Sequence, residues 1–169
     1  MSIQYRLLLF FALLGFVACD NTPPKPDPIF TNKMNLLEYG IPVTLLAPEG
    51  ATVKNNSDNF MQDVVVEGKD YYVQIYGSNA TSLDCAKLTQ ESLLDYKTTD
   101  AAFKGVVQQD PCSFLYKVEV DNDTTTSYNF AYFAIRGNKV YTFSTTAGPL
   151  TDFSQDEVTA IYEAVKAQE

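Results

Sequence analysis

SYNFAYFAIRGNKVYTFST, residues 127–145, decides the fold. Side chains alternate across a strand, so Tyr128, Phe130, Tyr132 and Ala134 face one way. Ala131, Phe133 and Ile135 face the other. Both sets are apolar. A strand with two apolar faces belongs inside a sheet that is covered on each side. Gly137-Asn138 then separates this run from a second β-rich run at 140–145, and Gly-Asn between two such runs predicts a tight hairpin.

Outward from this hairpin, the pattern continues in both directions. Residues 41–46 read as a strand ended by APEG, 47–50. FMQDVVVE, 60–67, reads as a second strand, and Gly68-Lys69-Asp70 turns it into YYVQIY, 71–76. Thr81 and Asp84 have capping-box spacing and predict a helix start. Leu83, Ala86, Leu93, Leu94 and Tyr96 give that helix an apolar face, and it ends before Thr98-Thr99-Asp100. Val106 and Val107 open an extended stretch broken at Pro111, and FLYKVEV, 114–120, follows. Asp121-Asn122-Asp123 is a turn by composition. Ser154 and Glu157 form a second capping box, opening a helix with Val158, Ile161, Tyr162 and Val165 on one face. The order β, β-β, α, β, β, β-β, α predicts an α+β domain. Its sheet is mainly antiparallel and flanked by helices, an α/β/α sandwich.

The 169 residues hold one domain plus extras. Twenty-one acids against 12 bases give a formal charge of −9. The bases are scattered singly, without the basic stripe that a nucleic-acid partner needs. The chain contains no His, which removes the commonest general base and metal ligand. Neither a phosphate-cradling nor a dinucleotide-binding glycine motif is present. No cofactor or metal is expected.

The N-terminus carries an address. Arg6 precedes LLLFFALLGFVA, residues 7–18. Twelve helical residues reach about 18 Å, short of a bilayer's roughly 30 Å hydrocarbon core but right for a signal-peptide core. Val17-Ala18-Cys19 resembles the end of a bacterial lipoprotein signal, with Phe16 standing where Leu is typical. The resemblance implies that residues 1–18 are a signal peptide and that Cys19 is lipidated. Two or three acyl chains would anchor the protein to membrane lipid, with its domain outside the cytoplasm in the cell envelope. Asp20 resembles an inner-membrane retention signal in some bacteria and a surface-export feature in others. Removing residues 1–18 takes away Arg6 and no acid, leaving 11 bases, 21 acids and a formal −10. Prolines 23, 24, 26 and 28 make residues 19–32 an extended tether. A single α+β domain is then expected over 33–169.

With Cys19 assigned to the lipid, Cys85 and Cys112 remain. An exported pair is expected to form a disulfide, and two separately buried thiols are the alternative.

The element order over residues 36–169 resembles the PsbP-like superfamily. That group includes a photosystem lumenal protein, a Ran-binding nuclear-import factor and many bacterial lipoproteins. The likeness rests on the Pro48-Glu49-Gly50 turn after an early strand, a long hairpin and a middle helix. A last helix follows the strand containing Tyr141 and Phe143. It implies the fold and, because several members dock onto other proteins, a binding or scaffolding role. Some members bind metal through histidines that have no counterpart in this chain.

The strand tyrosines are the candidate contact residues. Tyr joins apolar area to a polar tip, and it also packs well inside sheets. In YYVQIY, Tyr72, Gln74 and Tyr76 share one face and form the candidate binding face. The expected role is non-enzymatic binding of another envelope protein. The alternatives are a small-ligand binder with a Tyr-lined pocket and a carboxylate-dependent hydrolase. Asp123-Thr124-Thr125 resembles a short O-glycosylation signal.

Overall fold

The computed structural model describes residues 29–119, 126–145 and 153–168. Cys19, the four tether prolines and the stretch from Asp121 to Thr125 lie outside them. Seven strands form one sheet in the order β3-β4-β5-β9-β8-β7-β6, with every neighbouring pair antiparallel. They are β3 (Thr52–Asn55), β4 (Gln62–Gly68), β5 (Tyr71–Asn79), β6 (Phe103–Asp110), β7 (Ser113–Glu119), β8 (Thr126–Arg136) and β9 (Lys139–Ser144). β1 (Asn32–Asn35) and β2 (Thr44–Ala47) pair separately. Among the described residues there are two α-helices, α1 (Cys85–Thr99) and α2 (Gln155–Lys166). The domain is α+β with a mainly antiparallel sheet.

The 127–145 stretch folds as its pattern predicts. Gly137 takes φ 62° in the β8–β9 turn, a left-handed conformation that glycine adopts without strain. β9 is the middle strand of the seven and β8 lies beside it. Phe130 and Ala134 pack with Val158, Ile161, Tyr162 and Val165 of α2, and Tyr128 and Tyr132 join them. Ala131, Phe133 and Ile135 pack with Leu93 and Tyr96 of α1. Phe130 and Phe143 are fully buried. Each such side chain contributes roughly 1.5–3 kcal/mol. β2 and the short 3-10 helix Leu37–Tyr39 cover the β4–β5 end of the α2 side. There Tyr71 Oη donates to the Leu46 carbonyl at 2.9 Å, and the Phe30 ring meets Tyr71 edge-on at 4.9 Å.

The capping box of α2 is present. Glu157 N donates to Ser154 Oγ at 3.4 Å, and Ser154 N donates to Glu157 Oε2 at 2.8 Å. α1 differs from expectation. Its N-cap is Asp84, not Thr81: Asp84 Oδ1 accepts from Ala86 N at 2.9 Å and Lys87 N at 3.3 Å. A carboxylate next to the first turn reaches two free amides and complements their positive end, whereas Thr81 stands three residues too early. The buried stripe is also rotated. Thr89 and Leu93 are buried, with Cys85, Leu88 and Tyr96 partly so, while Leu83 and Leu94 are 71% and 63% exposed.

Two strand boundaries move as well. The early strand begins at Thr44, because Ile41 and Val43 belong to a turn closed by Leu36 N donating to the Val43 carbonyl at 3.0 Å. The second begins at Gln62, and Phe60 and Met61 sit in the loop before it. The short strands β1 and β3 were not anticipated.

Gln62 ties the 3-10 segment to the sheet. Its Nε2 donates to the Tyr39 carbonyl at 2.9 Å, and the side chain runs between Gly40 and Gly77. A Cβ on Gly77 would stand 2.6 Å from Gln62 Oε1 and 3.1 Å from the Tyr141 ring. Gly77→Ala is therefore expected to lose about 1–3 kcal/mol in urea unfolding. In a Gln62→Ala background the loss should shrink to the part owed to Tyr141 and to the Cβ at position 62, itself 3.1 Å away. An equal loss in both backgrounds would place the cost elsewhere.

Candidate functional site

α1 packs over β6, β7 and β8. On that side of the sheet, the β3–β4–β5 end carries a different surface. Strand register sets its rows: Thr52, Glu67 and Tyr72; Lys54, Val65, Gln74 and Ser144; Asp63, Tyr76 and Thr142. Tyr72, Gln74 and Tyr76 thus share one face, and the structure separates their roles. Gln74 is only 5% exposed and forms the floor, while Tyr72 and Tyr76 are half-buried and reach solvent. Gln74 Nε2 donates to Asp63 Oδ1 at 2.9 Å and to the Tyr76 hydroxyl. Gln74 Oε1 is buried without a hydrogen-bond partner. Lys54 and Glu67 pair at 2.7 Å along the rim.

Electrostatics keep this face uncharged at the tyrosines. Burial, and then the Asp63 carboxylate, raises the phenol pKa of both Tyr72 and Tyr76. Both hydroxyls stay protonated through neutral pH and can donate or accept. The apolar area of this surface comes from the Tyr72 and Tyr76 rings, since Val65 is only 5% exposed. Such a surface suits contact with another macromolecule better than enclosure of a small molecule.

A second feature lies at the adjoining corner. The β3–β4 loop is held by a dense set of short-range bonds. Asp58 Oδ1 accepts from Phe60 N and Met61 N, both at 2.7 Å, and Asp58 N donates to the Met61 carbonyl at 2.9 Å. Asn55 Oδ1 accepts from Ser57 N at 3.0 Å, and Asp63 N donates to Ser57 Oγ at 3.0 Å. The loop holds Phe60 97% exposed. Beside it is an open depression of about 430 Å³ lined by Glu38, Tyr39, Asn55, Gln62, Phe60 and Lys139 among others. The strand assignment of Phe60 and Met61 hid this loop. The available signal was Asp58-Asn59, a turn pair immediately before them.

Cys85 and Cys112 come together at disulfide distance, with Cα atoms 4.8 Å apart, inside the usual range. The pair joins the start of α1 to the β6–β7 turn. Next to Cys112, Ser113 and Tyr162 share a 2.5 Å hydroxyl hydrogen bond, and Tyr162 Oη donates to Asp110 Oδ2 at 2.8 Å. Lys166 Nζ reaches the same oxygen at 2.8 Å. A serine, a tyrosine and a lysine in one cluster have the makings of nucleophilic chemistry. Here Ser113 is 1% exposed and Lys166 is held by Asp110, so the cluster fastens α2 to β6 and β7. Among the described residues, no group of three or more Cys, Asp or Glu side chains converges to hold a metal ion, and no helix is long and apolar enough to cross a membrane.

Comparison of the chain with known protein families finds no match, and comparison with curated proteins finds none either. The class that stands is the one the backbone defines: an α+β domain built on a seven-stranded antiparallel sheet with two helices.

Proposed function

We propose that this chain is a lipid-anchored lipoprotein of the bacterial envelope whose domain binds another envelope protein through the β3–β4–β5 face. Cys19 carries the acyl chains, residues 1–18 are removed, and the prolines that follow hold the domain clear of the headgroups. The domain is an α/β/α sandwich of PsbP-like kind, a reading supported by the α1 and α2 side chains that pack against opposite faces of β8. The role is binding, not catalysis. The observation that carries it is the pairing of two half-exposed tyrosines over a buried, hydrogen-bonded Gln74–Asp63 floor. Rings on a rigid strand offer contact area at low entropic cost.

The experiment is crosslinking of the full chain in intact cells, followed by pull-down, with a Tyr72→Ser/Tyr76→Ser variant beside it. Aromatic anchors contribute about 2 kcal/mol each when truncated, so recovery of the partner should fall at least about tenfold while the variant remains folded by circular dichroism, with a melting temperature lowered by the loss of two half-buried rings. Equal recovery from variant and parent would rule this face out. Intact-mass measurement on the same material tests the anchor: parent protein should carry the acyl mass and Cys19→Ala should lack it.

A further inference from the structure

Phe60 is the most exposed large apolar side chain among the described residues, at 97%. A floppy loop would let such a ring fold back onto nearby apolar surface. This loop does not, because Asp58 spends one carboxylate oxygen on the amides of both Phe60 and Met61 and closes the turn with its own amide. Ser57 and Asp63 fasten the base of the loop to β4. Met61, 49% exposed, extends the apolar tip. Five hydrogen bonds order the backbone that carries the ring, so the loop's share of the ordering cost of a contact is already met.

The charges around the tip narrow what it meets. Asp58 is in the loop and Glu38 lines the adjoining depression, with Lys139 as the cation on its wall. The chain as a whole is formally −9. A second copy would set these acids against their own images, and an anionic bilayer would repel them. An apolar cleft rimmed by Lys or Arg would take the ring and match the acids.

We infer that the β3–β4 loop is a preformed anchor that inserts Phe60 into an apolar cleft with a basic rim on a different protein. This surface is separate from Tyr72 and Tyr76 and stands whether or not that face binds.

The test uses the full chain in its own cells, with photoreactive benzoylphenylalanine in place of Phe60. The same replacement at Val107, 43% exposed on the far edge strand, is the control. The expected result is one adduct to a different protein, at least about tenfold above the Val107 yield. Its crosslinked peptide should lie among Lys or Arg, and Glu38→Lys should reduce the adduct several-fold. Phe60→Ser should leave the melting temperature unchanged, showing that the loop's ring serves no folding purpose. An adduct with a second copy, an adduct with lipid, an adduct indifferent to Glu38→Lys, or no yield above the control overturns the inference.

Discussion

Replacing Cys85 and Cys112 together with serine is expected to lower the free energy of unfolding by about 3.5 kcal/mol. The pair closes a span of 27 residues, and the chain-entropy model gives that magnitude for a loop of this length. For a domain of this size the melting temperature should drop by roughly 10 °C. The loss should not be spread evenly. α1 buries only Thr89 and Leu93 fully, and exposes Leu83 just before it and Leu94 on it. Against so narrow an apolar contact, the covalent tie at its first residue is the strongest restraint on its position. Amide exchange in α1 should therefore quicken more than in β8 and β9, whose side chains are buried on both faces. Dithiothreitol on the parent protein should reproduce both effects. A double variant as stable as the parent would show that the packing of α1 suffices without the bridge, and one that loses protection equally everywhere would show that the bridge stabilises the domain as a whole and not α1 in particular.

The elements legible in the sequence are those whose information is local. β8 and β9 announce themselves through alternation and a Gly-Asn turn, and α2 through a capping box followed by a four-residue apolar face. Each signal spans fewer than about a dozen residues and has one physical meaning. α1 departs from its sequence pattern at the cap and on part of its face, at Leu83 and Leu94, because its determinants compete: Thr81, Ser82 and Asp84 are all capping residues, and only packing against Phe114 and Tyr116 selects which face turns inward. β1 and β3 are four residues each and depend on partners, so no pattern within them suffices. The candidate site divides the same way. Alternation alone puts Tyr72, Gln74 and Tyr76 on one face. That Gln74 is buried follows from Asp63, eleven residues earlier and set opposite Tyr76 by the hairpin register. The Ser113–Tyr162 contact, 49 residues apart, had no local trace at all.

Tyr162→Phe is expected to cost about 1–3 kcal/mol, because it leaves the buried Ser113 hydroxyl without its partner. The ring itself is fully buried against Phe130, with centroids 5.6 Å apart, so Tyr162→Ala should cost more, about 3–5 kcal/mol. Removing both hydroxyls, as Ser113→Ala/Tyr162→Phe, should recover part of the first loss, since no buried polar atom is then stranded. The pH dependence of the network has a definite sign. Hydrogen bonds from Lys166 and Tyr162 hold the Asp110 carboxyl below its ordinary pKa. Its contribution is present above the unfolded value, about pH 3.9, and is lost as pH falls through the lowered one. Burial opposes the charge on Lys166, but the hydrogen bonds it donates to Asp110 and Glu163 together raise its pKa. Burial also pushes the Tyr162 phenol far upward. Those two contributions are complete below the unfolded values, roughly pH 10, and fade as pH rises through the raised ones. Lys166 and Asp110 are 27% and 36% exposed, so solvent screening limits their pair to about 0.2–1 kcal/mol. Urea unfolding from pH 3 to 11 should show a plateau between these limits for the parent, and Tyr162→Phe should lie below it with a shallower alkaline decline. If the variant matches the parent in level and slope, the hydroxyl of Tyr162 fastens nothing, and α2 is held by its apolar face alone.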